Sequence, residues 1–106
     1  GEQERIRFRL ADVLKVIISQ KLVPNKKGSV TLAKEILTVD SSVQAAIRNG
    51  NITEIFQMIT EGKDKGMFTM QQDLHRLYRM GIIEAKTAMN YANNKKVMAN
   101  LLKFQQ

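Results

Sequence analysis

The stretch nearest to nucleotide-binding chemistry is a run of glycine and lysine between Glu61 and Met67, with the sequence EGKDKGM. A phosphate-binding loop requires the order GxxxxGK[ST], because its glycines let successive backbone N–H groups surround a phosphate. In this run both lysines precede the second glycine, and the chain contains no GxGxxG sequence either. We therefore interpret the glycines as helix-ending or loop residues, and we expect no nucleotide-binding site.

The single histidine, His75, is the residue best suited to metal binding or general-base catalysis. A metal site would need further ligands, and the chain has neither a cysteine nor a second histidine. Asp73 and Glu84 are not spaced as a carboxylate cage, and no strand–Ser–helix elbow for a catalytic triad occurs. His75 instead follows a helical pattern beside Arg76 and Arg79, so we interpret it as a surface or partly buried structural histidine. The sequence thus predicts no catalytic, cofactor-binding or metal-ligating residue.

The composition is that of one small domain with a modest core, since the chain has 106 residues and 43% of them are hydrophobic. The lack of cysteine excludes disulfides and thiolate metal sites. No apolar run approaches the ~20 residues that span a bilayer, and no signal-peptide pattern opens the sequence. Because the sequence starts inside a charged helical pattern, we expect it to be a segment of a longer protein.

The charge balance is basic, with 17 Lys and Arg residues against 10 Asp and Glu residues and a net charge of +7. Such a balance is typical of proteins that bind nucleic acid or an anionic membrane. The basic residues are scattered, however, and aromatic residues make up only 6% of the chain, so no platform for base stacking is expected. We interpret the charge as a solvated basic face or as one side of a contact with an acidic neighbouring subunit. Nucleic-acid binding is the alternative.

The first 40 residues predict one helix and one β-hairpin. Apolar residues recur at helical spacing over residues 3–18, and the predicted buried face consists of Ile6, Leu10, Val13, Leu14, Ile17 and Ile18. Two apolar segments then flank the polar turn Asn25-Lys26-Lys27-Gly28, which predicts strands at about 20–24 and 29–37. A two-stranded sheet is marginally stable alone, so we expect the hairpin to pack on helices or to extend a larger sheet.

Beyond residue 40 the pattern predicts a series of short helices. Three polar pairs are spaced as capping boxes and predict helix starts: Ser41 with Gln44, Asn51 with Glu54, and Thr69 with Gln72. Gly50, Gly62 and Gly81 would end these helices. A further helix is predicted over about 84–92 and a last short one over 97–102, separated by two asparagines. For the second capped helix the predicted buried face is Ile52, Ile55, Phe56 and Ile59.

The order of short sequences along the chain is more specific than any one of them. LADVLKVIISQKLVP covers residues 10–24, LAKEIL covers 32–37, GMFTM covers 66–70 and LYRMGII covers 77–83. This order resembles the C-terminal region of the type IV pilus twitching-motility (PilT-type) retraction ATPases, which read VISQxLxP, a strand ending E-[IV]-[LM], GMxTM and LxxGxI. The likeness extends over nearly the whole chain.

The resemblance implies a fold class and a division of the chain. The chain would be mainly α with one β-hairpin, and would be the excised C-terminal part of a RecA-like α/β motor domain, made of the hairpin plus a small helical bundle. Residues 1–40 would be the terminal helix and β-hairpin of the RecA-like core. Residues 41–106 would be a C-terminal helical bundle.

The resemblance also implies the setting in which the chain works. The parent protein would be a cytoplasmic, hexameric motor that binds ATP and magnesium upstream of the matched region, so this segment alone would hold no cofactor. Its partners would be neighbouring subunits of the homo-hexamer and pilus machinery proteins at the inner membrane, through which the motor would be peripheral to that membrane. Neither nucleic acid nor direct membrane insertion is expected.

One family motif, AIRNLIRE, falls on residues 42–49 and is associated in the family with coupling ATP turnover to retraction. The positions that match it, exactly or conservatively, are Val43, Ile47 and Arg48. The departures are Gln44, Ala45 and Asn49. The resemblance therefore suggests a coupling role for Arg48 in particular. The alternative is a solvated arginine at a helix end, where its charge would be stabilised by the helix dipole.

Three hypotheses of function follow. The first is a C-terminal part of a hexameric pilus-retraction motor ATPase that serves packing, subunit contact and force coupling rather than catalysis. The second is the equivalent part of a pilus-assembly or type II secretion ATPase, which would share the architecture. The third is a stand-alone basic helical binding module, suggested by the net charge of +7.

Overall fold

The computed structural model of this chain describes residues 1–13 and 16–103. Over these residues the fold is mainly α with one antiparallel β-hairpin, which confirms the predicted fold class. The helices are α1 (Glu2–Val13), α2 (Ser41–Asn49), α3 (Ile52–Glu61), α4 (Met70–Arg79), α5 (Ala85–Tyr91) and α6 (Lys95–Lys103), with a short 3₁₀ turn at Lys63–Lys65. The strands are β1 (Val16–Pro24) and β2 (Val30–Thr38).

The chain forms two compact units that interleave along the sequence. Unit 1 comprises Gly1–Ile18 and Ile36–Phe68, and unit 2 comprises Ser19–Glu35 and Thr69–Gln106. The sequence analysis predicts a division at residue 40, between a terminal part of a larger core and a helical bundle. That division stays a prediction.

The helix predicted over residues 3–18 is shorter than expected. α1 ends at Val13 and β1 already begins at Val16, while residues 14 and 15 lie outside the described part of the chain. The segment Val16-Ile17-Ile18 is β-branched throughout, and such residues lose less rotamer freedom in a strand than in a helix. Pairing with β2 therefore overrides the helical spacing of the apolar residues, and β1 is longer than the predicted 20–24. The second strand was predicted at 29–37, within one residue of β2 at either end.

The hairpin turn has the chemistry that its sequence predicts. The Asn25 side chain accepts hydrogen bonds from the backbone N–H groups of Lys27 and Ser29, both at 3.0 Å. Gly28 adopts φ +80°, in the left-handed region that glycine enters without strain. The Lys26 N–H donates to the carbonyl oxygen of Ile82 at 3.0 Å, so the turn is also attached to the loop after α4.

Unit 1 is built around α2, which packs against α1. Its buried apolar residues are Leu37, Val43, Ala46, Ile59 and Met67. The backbone of Phe68 exchanges hydrogen bonds with that of Ile36 at 2.9 and 3.1 Å. This bridge holds the end of the segment after α3 beside β2.

The cap of α2 differs from the prediction. The N-cap is Asp40 rather than Ser41, and its Oδ1 accepts a hydrogen bond from the Val43 N–H at 3.0 Å. A carboxylate is the stronger acceptor, and its negative charge is stabilised at the positive end of the helix dipole. Ser41 therefore lies inside the first turn. Gly50 ends the helix as predicted, with φ +65°.

α3 begins as predicted, because the Asn51 side chain accepts from the Glu54 N–H at 3.1 Å. Its predicted buried face is wrong in part. Ile59 is buried, but Ile52 and Phe56 are 66% and 43% exposed. At about 100° per residue, Phe56 lies about 60° around the helix axis from Ile59 and about 100° from Ile55, at the outer edge of the apolar stripe. Ile52 is the first residue of α3 and lies at the end of the helix.

Unit 2 is centred on α4, which starts with the predicted capping box. The Thr69 side chain accepts from the Gln72 N–H at 3.1 Å, and Gln72 Oε1 accepts from the Thr69 N–H at 2.8 Å. The buried residues around α4 are Val23, Ala33, Met70, Leu74, Leu77, Ile83, Ala88, Ala92 and Met98. Most of them come from the two strands and the three C-terminal helices, while Ile83 lies between α4 and α5 and Ala92 directly follows α5. They form one core.

Candidate functional site

Helix α2 contains the three positions that the family resemblance singles out, Val43, Ile47 and Arg48. Val43 is 1% exposed and lies in the core of unit 1. Ile47 is partly buried and packs against the same core. Arg48 lies in the last turn of the helix and is half-buried. Two of the three positions therefore fix α2 in place by packing, and Arg48 is the one with a side chain able to act at the surface.

The C-terminal end of α2 is closed by backbone hydrogen bonds. The Gly50 N–H donates to the Ile47 carbonyl oxygen and the Asn51 N–H to the Ala46 carbonyl oxygen, both at 3.0 Å. This pattern, with a left-handed glycine, satisfies carbonyl groups that a helix end otherwise leaves without partners. It fixes the position from which Arg48 leaves the helix.

Arg7 of α1 also binds the C-terminal end of α2, a contact that was not predicted from the sequence. Its Nε donates to the Arg48 carbonyl oxygen at 3.4 Å. The guanidinium also lies against Gly50, where a Cβ atom would come within 3.2 Å of Arg7 Nε. A positive charge is favourable at the negative end of a helix dipole. The contact partner lies 41 positions along the chain, so the sequence around Arg7 contains no local signal of it.

The N-terminal end of α2 is held by an ion pair. Asp40 Oδ2 lies 3.2 Å from Lys65 Nζ in the 3₁₀ turn. The hydrogen bond from the Val43 N–H, and then the hydrogen bond and charge of Lys65, hold the pKa of Asp40 below its ordinary value. Because the pair is exposed to solvent, it contributes little to stability, but it connects the helix start to the segment after α3.

The outward surface of α2 is small and polar. Its exposed residues are Ser41, Ser42, Ala45 and Asn49. None of these side chains can act as a nucleophile without an activating base, and none has metal-ligand spacing with a neighbour. The exposed positions of α2 thus carry short side chains, and the longer side chain of Arg48 is half-buried.

The segment from Glu61 to Met67 does not fit a phosphate group. Four of its backbone N–H groups donate within the segment or to α3: Gly62 to Ile59, Lys65 to Gly62, Gly66 to Lys63, and Met67 to Gly62, at 2.9–3.1 Å. A phosphate-binding loop needs such donors to converge on the ligand. At Gly62 a Cβ would lie 2.5 Å from Met67 Cε and 2.9 Å from the Met58 carbonyl oxygen, so the glycine serves close packing.

Within the described part of the chain, no three His, Asp or Glu residues lie close enough together to form a set of metal ligands. His75 is half-buried on α4, as expected of a structural histidine. Among the same residues, no helix is long and apolar enough to cross a membrane.

Two carboxylates, the buried Asp73 and the half-buried Glu35, connect α4 to the hairpin, and the sequence did not reveal these contacts. Asp73 is 2% exposed; its Oδ2 accepts from the Lys34 N–H and its Oδ1 from Arg76 Nε, both at 2.8 Å. Glu35 Oε1 accepts from the Met70 N–H at 3.0 Å. The carboxylates satisfy backbone donors that a two-stranded sheet and a helix start leave open.

A second group of polar residues holds the turn between α5 and α6. Gln71 Oε1 accepts from the N–H groups of Asn93 and Asn94 at 2.8 and 3.1 Å. Lys21 Nζ donates to the Tyr91 carbonyl oxygen at 2.7 Å and to Asn93 Oδ1 at 2.6 Å. These contacts are structural, because each one satisfies a backbone or amide group of the turn.

The GMFTM sequence at residues 66–70 also has a structural explanation. Met67 is buried in unit 1, and Phe68 pairs with Ile36. Thr69 caps α4, and Met70 is fully buried in unit 2. The motif thus marks the point where the chain passes from one unit to the next.

Comparison with curated proteins identifies related sequences, although no protein-family model matches the chain. It is 36% identical over 100 residues to a twitching motility protein of Neisseria gonorrhoeae, a match that covers 93% of this chain and 27% of that protein. It is 30% identical to the type IV pilus ATPase PilU and 28% identical to the retraction ATPase PilT, both of Pseudomonas aeruginosa. These two matches cover 85% and 86% of this chain. The chain spans about a quarter of the length of these relatives.

Comparison with solved structures gives the same result for the fold. A crystal structure of the pilus retraction motor PilT with bound ADP superposes with a TM-score of 0.80 at 30% identity, over 94% of this chain and 27% of PilT. The ATPase DotB of Legionella pneumophila gives a TM-score of 0.63 at 21% identity, over 94% of this chain and 26% of DotB, which shows a shared fold. In sequence and in fold, this chain is similar to the C-terminal region of the PilT-type twitching-motility ATPases.

Proposed function

We propose that this chain is the C-terminal part of a hexameric pilus-retraction motor ATPase, in which it serves packing, subunit contact and force coupling rather than catalysis. The observation that supports this most strongly is the superposition on the PilT motor over 94% of the chain with a TM-score of 0.80. The described residues offer structural contacts and a docking helix rather than reacting groups. The chemistry would then belong to the part of the longer protein that this chain does not include.

In this proposal α2 is the coupling element. Val43 and Ile47 anchor it in unit 1, and Arg7 and Asp40 hold its two ends. A helix fixed in this way moves as one body with the unit around it. Arg48 at the edge of its exposed surface would contact a neighbouring subunit or a pilus machinery protein, and would transmit a movement that starts elsewhere in the hexamer.

ATP and magnesium would bind to the longer protein and not to this chain. The one glycine-lysine segment uses its backbone donors for its own turn. When bound, the nucleotide would supply the energy of phosphoryl transfer, and the residues described here would position α2 relative to it. We place the motor in the cytoplasm, peripheral to the inner membrane through its partners.

The second candidate is a motor that assembles pili or drives secretion. The DotB ATPases of Legionella pneumophila and Yersinia pseudotuberculosis share the fold at TM-scores of 0.63 and 0.60. Their identities of 21% and 18% leave the activity open.

Disruption of the gene in its own host distinguishes the two candidates. If the protein retracts pili, cells without it keep surface pili and lose twitching movement. If it assembles pili, the same cells lose their surface pili, as seen by electron microscopy. A strain that keeps both its pili and its movement would contradict retraction and pilus assembly alike, and would favour a secretion motor. Restoring the gene from a plasmid is the control.

A further inference from the structure

The net positive charge of the chain belongs entirely to unit 2. Unit 1 contains seven basic and seven acidic residues and is neutral. Unit 2 contains ten basic and three acidic residues, which gives it the whole net charge of +7. The sequence alone suggests scattered charges, because the two units interleave along the chain.

The acidic residues of unit 2 hardly offset this charge at the surface. Asp73 is buried and binds Lys34 N–H and Arg76. Glu35 is half-buried and caps the start of α4 through the Met70 N–H. In the described part of unit 2, Glu84 is therefore the only exposed carboxylate.

Several basic side chains of unit 2 are available to a partner. Lys26, Lys27, Arg79, Lys86 and Lys96 are exposed, and their side chains make no hydrogen bond or ion pair within the described residues. The Lys26 N–H bond to the Ile82 carbonyl oxygen, at 3.0 Å, places the hairpin turn beside the loop between α4 and α5. Basic residues from distant parts of the chain thus belong to one compact unit.

Exposed apolar side chains accompany these cations. They are Val30 at 55% near the hairpin turn, Met80 at 61% next to Arg79, and Val97 at 42% next to Lys96. Exposed cations interspersed with apolar side chains are typical of surfaces that rest on a bilayer, with cations at the headgroups and apolar groups at the acyl boundary.

We propose that unit 2 is a docking surface for an anionic phospholipid membrane. Mobile lipid headgroups suit cations that are spread over loops and helix ends, because headgroups adapt to the positions of the cations. A nucleic-acid surface would need exposed aromatic platforms, and the described aromatics of unit 2, Tyr78 and Tyr91, are half-buried. A second copy of this chain is less suited as the partner, since neither of its units has a net negative charge. The binding is peripheral and does not require insertion.

The test is co-sedimentation of the 106-residue chain with vesicles of phosphatidylcholine alone or mixed with phosphatidylglycerol. We expect binding to the mixed vesicles only, and weakening as salt rises to about 0.15 M, where the Debye length is about 8 Å. Equal binding to both vesicles, or none to the mixed ones, would overturn the proposal. Because this test requires no ATP and no pilus, its result is independent of the motor function.

Two charge-matched variants locate the surface. The double substitution Lys26→Gln and Lys27→Gln removes two cations from unit 2, and Arg5→Gln with Lys63→Gln removes two exposed cations from unit 1. Each basic residue near an anionic surface raises binding about fivefold, so we expect the first pair to weaken vesicle binding about twenty-five-fold. The second pair should change it little. Equal losses from both pairs would overturn the assignment to unit 2.

Two competing probes complete the test. A duplex DNA oligonucleotide and a poly-glutamate peptide are added separately to chain already bound to vesicles at physiological salt. We expect the vesicles to retain the chain against both. Displacement by DNA at equal charge concentration would favour a nucleic-acid surface, and displacement by the peptide would favour an acidic protein partner. Either result would overturn the membrane proposal.

Discussion

The Nε atom of Arg7 lies 3.4 Å from the carbonyl oxygen of Arg48, so an arginine of α1 closes the C-terminal end of α2. The arginine that the family resemblance marks for coupling is thus held through its backbone, and its side chain remains separate from that bond. We therefore expect substitutions at the two arginines to have different effects. Substitution of Arg7 should lower the stability of the chain, and substitution of Arg48 should reduce the movement that the longer protein drives.

Replacing Arg7 with alanine should destabilise the chain. The substitution removes the bond to the Arg48 carbonyl oxygen and the favourable charge at the end of α2, a loss of about 1 kcal/mol in the free energy of unfolding. Urea denaturation followed by circular dichroism measures it. Arg5→Ala is the matched control, because Arg5 is an exposed arginine of the same helix, 3.8 Å from Glu2. Equal effects of the two substitutions would contradict the role of Arg7.

Replacing Asp73 with alanine should be the most destabilising single change among those considered. It leaves the Lys34 N–H without its buried acceptor and breaks the contact to Arg76, at a cost of about 2–3 kcal/mol. Asp64→Ala, at an exposed carboxylate of the 3₁₀ turn, should change stability by no more than ~0.5 kcal/mol. If thermal melts of the two variants coincide, Asp73 does not hold α4 to the hairpin.

Asp40 should make the stability of the chain depend on pH in the acid range. Its pKa is lowered in the folded chain by the Val43 N–H and by Lys65, so its contribution is present above the ordinary value of 3.8. As pH falls below that value the unfolded chain takes up a proton first, and the contribution is lost as pH passes the folded pKa. Asp40→Asn should flatten this part of the profile. Chemical denaturation across the acid range would contradict this if both chains lost stability with the same slope.

Much of the fold could be predicted from local chemistry. The caps Asn51 and Thr69 and the turn at Asn25 were predicted correctly, because each depends on residues only two to four positions away. The β-branched segment at the start of β1 was misassigned to a helix, because the competing strand pairing is formed with residues on β2.

The candidate site was less predictable, for a related reason. Val43 and Ile47 are recognisable as apolar helix positions, but nothing near Arg7 in the sequence indicates that it closes α2. Asp73 was considered only as a metal ligand, and its true partner, the Lys34 N–H, is 39 positions away. The net charge of unit 2 could not be predicted either, because unit 2 is formed from two segments that are separate in the sequence.

The most direct test of the motor assignment is the Arg48→Ala substitution in the longer protein, with ATP hydrolysis and twitching movement measured on the same variant. We predict that hydrolysis is retained, because Arg48 would act in coupling and not in the chemical step, while movement falls about tenfold, equivalent to ~1.4 kcal/mol of lost coupling. Arg5→Ala, which removes an exposed arginine from the same unit, should leave both unchanged. Normal movement of the Arg48→Ala strain, or an equal loss of hydrolysis and movement, would contradict a coupling role for α2.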